Sequence, residues 1–187
     1  MNNTKASTKA VLNLDKALKG HKIDLATYHN EKTEIENRIK SSFDDGSTCT
    51  KGLIELIEPI RLNKLIQVRR LCSTCDHYAS GFIDSGYGCG YRNTQMLFSS
   101  IREDLKLRDV VFNNGNTRIP SITKIQSLIE SAWSKGFDLE GKDQLGGTLT
   151  GSAKWIGATD VCAMFSSLRI KLFYFNLHKV FLLFYRI

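Results

Sequence analysis

The sequence has no apolar run of the about 18 residues that a membrane span requires. Its nearest candidate, residues 172–185, is interrupted by Asn176, His178 and Lys179. No hydrophobic leader opens the chain, because Met1 to Lys9 is polar. A phosphate loop of the Gly-x-x-x-x-Gly-Lys-Ser/Thr type is missing, so the glycine-rich stretch 138–150 reads as a connection, not a nucleotide site. A second Cys-x-x-Cys is missing too. Cys72 and Cys75, with His77 close behind, fall short of the two pairs that commonly build a four-ligand zinc site. They read as a structural loop, with a metal site or a redox dithiol as the alternatives, and no metal or small-molecule cofactor is expected. Net charge is +7 and the pI is near 9.2. A basic balance suits nucleic acid or an acidic partner. The charges are scattered, however, over Lys16, Lys19, Lys22, Arg69, Arg70, Lys135 and Lys142. No aromatic-interleaved basic stripe gathers them, so direct nucleic-acid binding is not expected.

What remains is a chain of 187 residues, 42% hydrophobic, enough for one domain or one domain with an appendage. Its five cysteines are an odd number. Together with the polar start, they point to free thiols in a reducing cytoplasmic or nuclear setting.

The most informative stretch is Asp84-Ser85-Gly86-Tyr87-Gly88-Cys89-Gly90-Tyr91-Arg92-Asn93. Three glycines at alternating positions surround one cysteine, and glycine permits conformations and close approaches that a Cβ forbids. Just after it, Met96, Leu97, Ile101 and Leu105 recur at helical spacing. Cys89 is therefore predicted on a tight turn that opens a helix. Free N–H groups and the positive dipole end favour a thiolate there. That suits a nucleophile; the alternative is a small buried cysteine beside a glycine turn.

Around this stretch the sequence predicts a mostly helical order. Met1 to Lys9 reads as disordered. Residues 10–25 carry Val11, Leu14 and Leu18 at helical spacing, with Gly20 as a break, and residues 31–43 carry Ile35, Ile39 and Phe43. A third helix opens near Thr50 and is kinked or ended by Pro59. Residues 65–71 read as a strand. Pro120 and Ser121 start a helix with Ile122, Ile125, Leu128, Ile129, Ala132 and Trp133 on its apolar face, stopped by Gly136. Thr159 or Asp160 caps a helix bearing Val161, Met164, Phe165 and Leu168, with Cys162 as a small core residue. Residues 170–175 read as a strand.

The order of Cys72-Ser73-Thr74-Cys75-Asp76-His77-Tyr78, Gly-Tyr-Gly-Cys89-Gly-Tyr-Arg-Asn, Pro120-Ser121-Ile122, Glu130-Ser131-Ala132-Trp133 and Lys154-Trp155-Ile156-Gly157 resembles the cysteine peptidases specific for ubiquitin-fold modifiers. It looks closest to their zinc-finger-containing deubiquitinase branch. The resemblance covers residues 44–171. It implies an α+β, papain-like peptidase core with Cys89 as catalytic nucleophile, and ubiquitin or lysine-63-linked polyubiquitin as partner. Tyr91, Arg92 and Asn93 then either position substrate or pack the turn. The expected organisation is a helical arm over 1–65, an N-terminal part of the peptidase domain over 66–171, and a divergent tail over 172–187. The three leading helices either pad the core or project to grip ubiquitin.

One departure stands out. The family supplies its histidine, aspartate and oxyanion-hole glutamine after the strand that follows Lys171, with a Gly-His-Ser signature and a later Asp-Pro. Neither pattern occurs in this sequence. The expectation is a shortened form (a fragment, a splice form or a misread gene), and the zinc fingers would precede Met1. Asp76-His77 is a tempting acid–base pair, with His77 twelve residues before Cys89, but the family's base comes from elsewhere, so the pair reads as structural or as part of a substrate loop, with catalysis as the alternative; His178 is a remote substitute. The rival reading is a catalytically dead ubiquitin-binding module. If unpaired, Val180 to Tyr185 would be an aggregation hazard.

Overall fold

A computed structural model describes residues 4–59, 71–81, 83–112, 116–177 and 180–186. The strand expected at 65–71 and the turn at 113–116 fall largely outside the described residues. The architecture is α+β: eight helices and two small antiparallel sheets among the described residues.

Two helices come first, α1 (Thr4–Lys19) and α2 (Leu25–Lys40). The first begins inside the segment expected to be disordered; Lys5, Ala6, Lys9 and Ala10 are all good helix formers, which offsets the polarity. It ends at Gly20, as the sequence indicated. The second starts six residues earlier than its apolar spacing suggested, because Asp24 caps it: its Oδ1 accepts from the Thr27 N–H at 2.7 Å. The pair packs around Leu14 and Ile35, joined by Val11, Ile23, Tyr28 and Ile83. Ile83 belongs to the loop that leads to Cys89.

Strand β1 (Cys49–Thr50) pairs antiparallel with β2 (His77–Tyr78), Cys49 opposite Tyr78. Between them α3 (Leu53–Ile57) ends immediately before Glu58-Pro59; Glu58 keeps helical dihedrals and donates its N–H to the Ile54 carbonyl at 2.9 Å, and Pro59 has no N–H to carry the ladder further.

The main core forms around α4 (Cys89–Glu103), α6 (Ile122–Ser134) and α8 (Ala158–Ser167). Tyr91, Phe98, Ile101, Ile125, Ile129, Met164 and Phe165 are all but sealed from solvent. The Phe98 and Phe165 rings sit 4.9 Å apart. Each such side chain contributes about 1.5–3 kcal/mol by leaving water. Leu105 does not continue α4. Asp104 takes an extended conformation and caps a separate α5 (Leu105–Val111), accepting from the N–H groups of Lys106 and Leu107, and Leu105 is exposed. Ser121 caps α6 as expected, accepting from the Lys124 N–H.

The stretch 138–150 is not all loop. Asp138, at φ 50°, accepts from the Gly141 N–H and opens a short α7 (Leu139–Gln144). Its cap is local and its apolar face is small, so hydrophobic periodicity does not show it. Neither Thr159 nor Asp160 precedes α8. Gly157 does, and Asp160 reaches back from the first turn to accept its N–H at 2.8 Å. The chain closes with β3 (Lys171–Leu177) and β4 (Val180–Arg186), antiparallel in register from Lys171 opposite Arg186 to Leu177 opposite Val180. The β-prone tail is thus paired along one edge.

Candidate active site

Cys89 is the first residue of α4, and its side chain is exposed. Gly88 precedes it as the cap, and no side chain bonds to the first-turn amides there. Those amides have no acceptor within the helix. The sequence reading of a tight turn opening a helix at Cys89 matches this geometry; the alternative of a buried cysteine does not.

Two close approaches hold the turn. The Asp84 carbonyl accepts from the Gly88 N–H at 2.8 Å. The Asp84 carboxylate folds back so tightly that a Cβ on Gly88 would lie 1.9 Å from its Oδ2. On the other side the segment before α8 presses on the helix: a Cβ on Gly90 would lie 2.7 Å from the Ile156 carbonyl oxygen. Tyr91 ties the same segment by donating its hydroxyl to the Lys154 carbonyl at 2.9 Å. Gln126 of α6 completes this side. It donates to the Tyr91 hydroxyl at 3.3 Å and the Ser152 carbonyl at 2.9 Å, and accepts from the Gly151 N–H at 3.0 Å. Beside Ile156, Trp155 stands out in solvent.

Arg92 lies one turn into α4 and is the hub of the opposite side. Its Nε and Nη2 donate to both oxygens of Asp84, at 3.0 and 2.9 Å. Its Nη1 donates to Asp44 and to the Gln95 carbonyl oxygen, both at 3.0 Å. Gln95 in turn donates to Asp44 and to the Pro120 carbonyl. Burial by itself would weaken the guanidinium's hold on its proton, but Asp84 and then Asp44 outweigh it and raise the pKa above the ordinary arginine value. Tyr91 and Arg92 therefore pack the turn, and Asn93 is the one of the three left exposed. The burial of Gln95 and Gln126 was not foreseen; a polar residue on the inward stripe of an amphipathic helix is the signal that could have found them.

Behind this network lies a cavity of about 70 Å³. Asp44, Asp84, Tyr87, Arg92, Ser121 and Gln126 are among its lining residues. Burial, then the neighbouring Asp84 charge, pushes the Tyr87 phenol up to about 12, so it stays a neutral hydroxyl.

The structure does not bring Asp76 and His77 to Cys89. The Asp76 N–H donates to Ser99 Oγ, and its carboxylate accepts from Arg102 at 2.9 Å. Ser99 and Arg102 lie ten and thirteen residues along α4, roughly 15 and 20 Å from Cys89 at the helical rise. Asp76 is thus a strut for the far half of the helix, and His77 is its exposed neighbour on β2. His178 lies outside the described residues. Cys72 is exposed and Cys75 half-buried. Burial, then the adjacent Cys72, pushes the Cys75 thiol up to about 11. Burial also raises the Cys162 thiol. Among the described residues no group of three or more His, Cys, Asp or Glu is placed to hold a metal ion.

The sequence around this site matches the model of peptidase family C78 over residues 64–180, more than half of the chain. The chain belongs to peptidase family C78. The match takes in α4 to α8 and continues past Lys171 through β3. Human zinc finger-containing ubiquitin peptidase 1 is 42% identical over 154 residues, covering 81% of this chain and 26% of that protein. The mouse protein of the same name is 40% identical over the same length. In fission yeast, ubiquitin carboxyl-terminal hydrolase mug105 is 48% identical over 87 residues, covering 46% of this chain and 34% of that protein. The family C78 chain thus spans about a quarter of the length of the mammalian relatives it matches.

Proposed function

We propose that this chain carries the nucleophile of a thiol-dependent deubiquitinase, with Cys89 as the attacking residue. The observation that supports it most is the placement of an exposed thiol on the first residue of α4, inside the span matched to family C78. The names of the relatives point the same way: all three are called ubiquitin peptidases or hydrolases. In this reading the Cys89 thiolate attacks the carbonyl of the isopeptide between the ubiquitin C-terminus and a lysine. The carbon–nitrogen bond breaks, the lysine amine leaves with a proton from a general acid, and a thioester remains. Water then hydrolyses the thioester, releasing the carboxylate and restoring the thiol. The Cys89 backbone N–H, free of an intrahelical acceptor, serves as an oxyanion donor. By resemblance the substrate is lysine-63-linked polyubiquitin in the cytoplasm and nucleus. The α1–α2 pair ahead of the site favours ubiquitin over the ubiquitin-fold modifier. The general base is assigned to none of the described residues.

The remoteness of His77 favours a second reading, a module that holds ubiquitin without cleaving it. Reaction with ubiquitin carrying a C-terminal electrophile, run beside Cys89→Ala, separates the two. An adduct lost in the variant supports the nucleophile. A folded chain that binds ubiquitin, forms no adduct and binds equally well as Cys89→Ala overturns it.

A further inference from the structure

We infer that Arg92 is the positioning residue of the Cys89 site, clamping the nucleophile's turn to the segment that follows the α1–α2 pair. This rests on the thiol-peptidase reading above. Two carboxylates from separate stretches of the chain approach one guanidinium. Asp84 lies eight residues before Arg92 and Asp44 forty-eight before it. Both pairs are nearly out of solvent: the exposures are 11% for Arg92, 11% for Asp44 and 1% for Asp84. A bidentate fork onto Asp84 fixes orientation as well as distance. Asp84 is also the residue that shapes the turn. Its carbonyl holds the Gly88 N–H, and its carboxylate takes the Gly81 N–H at 2.9 Å and fills the space beside Gly88. Holding Asp84 therefore holds the residue before Cys89.

The Asp44 arm of the clamp reaches elsewhere. Its own N–H donates to the Ile119 carbonyl at 2.8 Å, and Phe43 bridges to Pro120. Ser41, one residue past α2, has its carbonyl bonded by the Ser121 hydroxyl at 2.7 Å. The end of α2 is thus joined to the start of α6, and through Asp44 to Arg92. From the other direction Ile83, next to Asp84, packs into the α1–α2 cluster. The hairpin and the nucleophile turn share this one clamp, so displacing the hairpin displaces Cys89. Arg92 touches no reacting atom; it acts through Asp84.

The test compares the chain with Asp44→Asn and Arg92→Lys. Asp44→Asn removes the charge from one arm and leaves the Asp84 fork, so it folds even where Arg92→Lys does not. Arg92→Lys keeps the charge and loses the fork. Two measurements are made: hydrogen exchange of the peptide spanning residues 84–92, and saturation kinetics with ubiquitin bearing a C-terminal electrophile. The expected result is faster exchange in 84–92 for both variants. The maximal rate of adduct formation falls about tenfold, as misplacement of a reacting group does. The half-saturating concentration stays within about twofold, since the hairpin surface is untouched. Unchanged exchange in 84–92 in Asp44→Asn overturns the clamp, as does a loss confined to half-saturation. If the wild-type chain forms no adduct, the deubiquitinase reading fails, and the exchange comparison still decides the clamp.

Discussion

Replacing Gly90 with alanine sets two effects of opposite sign against each other. Inside a helix, alanine is favoured over glycine by about 1 kcal/mol. If nothing pressed on this face, Gly90→Ala would stabilise the chain. The structure puts the new Cβ 2.7 Å from the Ile156 carbonyl oxygen and 2.8 Å from Ile156 Cγ1. An ordinary carbon–oxygen approach is about 3.3 Å or more. The helix and the 154–157 segment must therefore separate by about half an ångström. The first obstacle is backbone, so no side-chain rotation relieves it. The segment is also held by Tyr91 and by Lys154, whose Nζ donates to the Thr148 carbonyl at 2.9 Å. Overpacking against such a wall costs about 1–3 kcal/mol. With the propensity gain subtracted, the net loss is about 0–2 kcal/mol, and thermal unfolding falls by up to about 8 °C for a chain this long. Calorimetry or a circular-dichroism melt reads the sign directly. A variant more stable than the parent by the full propensity gain of about 1 kcal/mol would refute the claim that the segment before α8 closes on the nucleophile's turn.

Other outcomes follow from the same geometry. Glu130 accepts from the N–H groups of Leu149 and Thr150 and from the Thr150 hydroxyl. Glu130→Ala is expected to lose about 2–4 kcal/mol, because it strands the buried Leu149 amide; urea unfolding measures it. Burial raises the Asp160 pKa, and its Oδ1 is buried without a hydrogen-bond partner among the described residues. A raised carboxyl destabilises the fold when ionised, so the parent should gain stability relative to Asp160→Asn as the pH falls from about 7 to 4; paired denaturation curves across that range check the direction. With limiting iodoacetamide at neutral pH, peptide mapping should find Cys89 alkylated before Cys75 and Cys162, whose thiols burial pushes up. Equal labelling of all three would contradict the exposure of Cys89.

The turn and helix at Cys89 were legible because everything that defines them lies within a dozen residues. Glycine spacing, then apolar spacing, is enough to place the cysteine at a helix start, though not to show that it is exposed. Gly136 and Ser121 marked the limits of α6 for the same local reason. Arg92's partners were not legible in full. Asp84 is a natural neighbour at eight residues, but Asp44 meets Arg92 only because β1, β2 and the α6 entry bring that segment back. Helix α7 was missed because its start rests on Asp138 in a left-handed conformation, which a charged residue adopts without any periodic signal. The break at Asp104 was missed because Leu105 keeps the helical spacing by coincidence while facing solvent. Asp76-His77 was tempting as an acid–base pair only by proximity in sequence. The rigid rise of a helix carries their anchor residues away from its first turn.

The contact between Asp84 and Gly88 also bears on how such a site can change over generations. An alanine at 88 needs a shorter side chain at 84. A shorter side chain at 84 removes the fork that neutralises Arg92. A neutral residue at 92 leaves Asp44 facing the cavity without its cation, held by Gln95 and the Gly46 N–H. Gly88, Asp84 and Arg92 are therefore expected to change together rather than singly. A working variant of this chain that alters one of them should carry a change in at least one of the others.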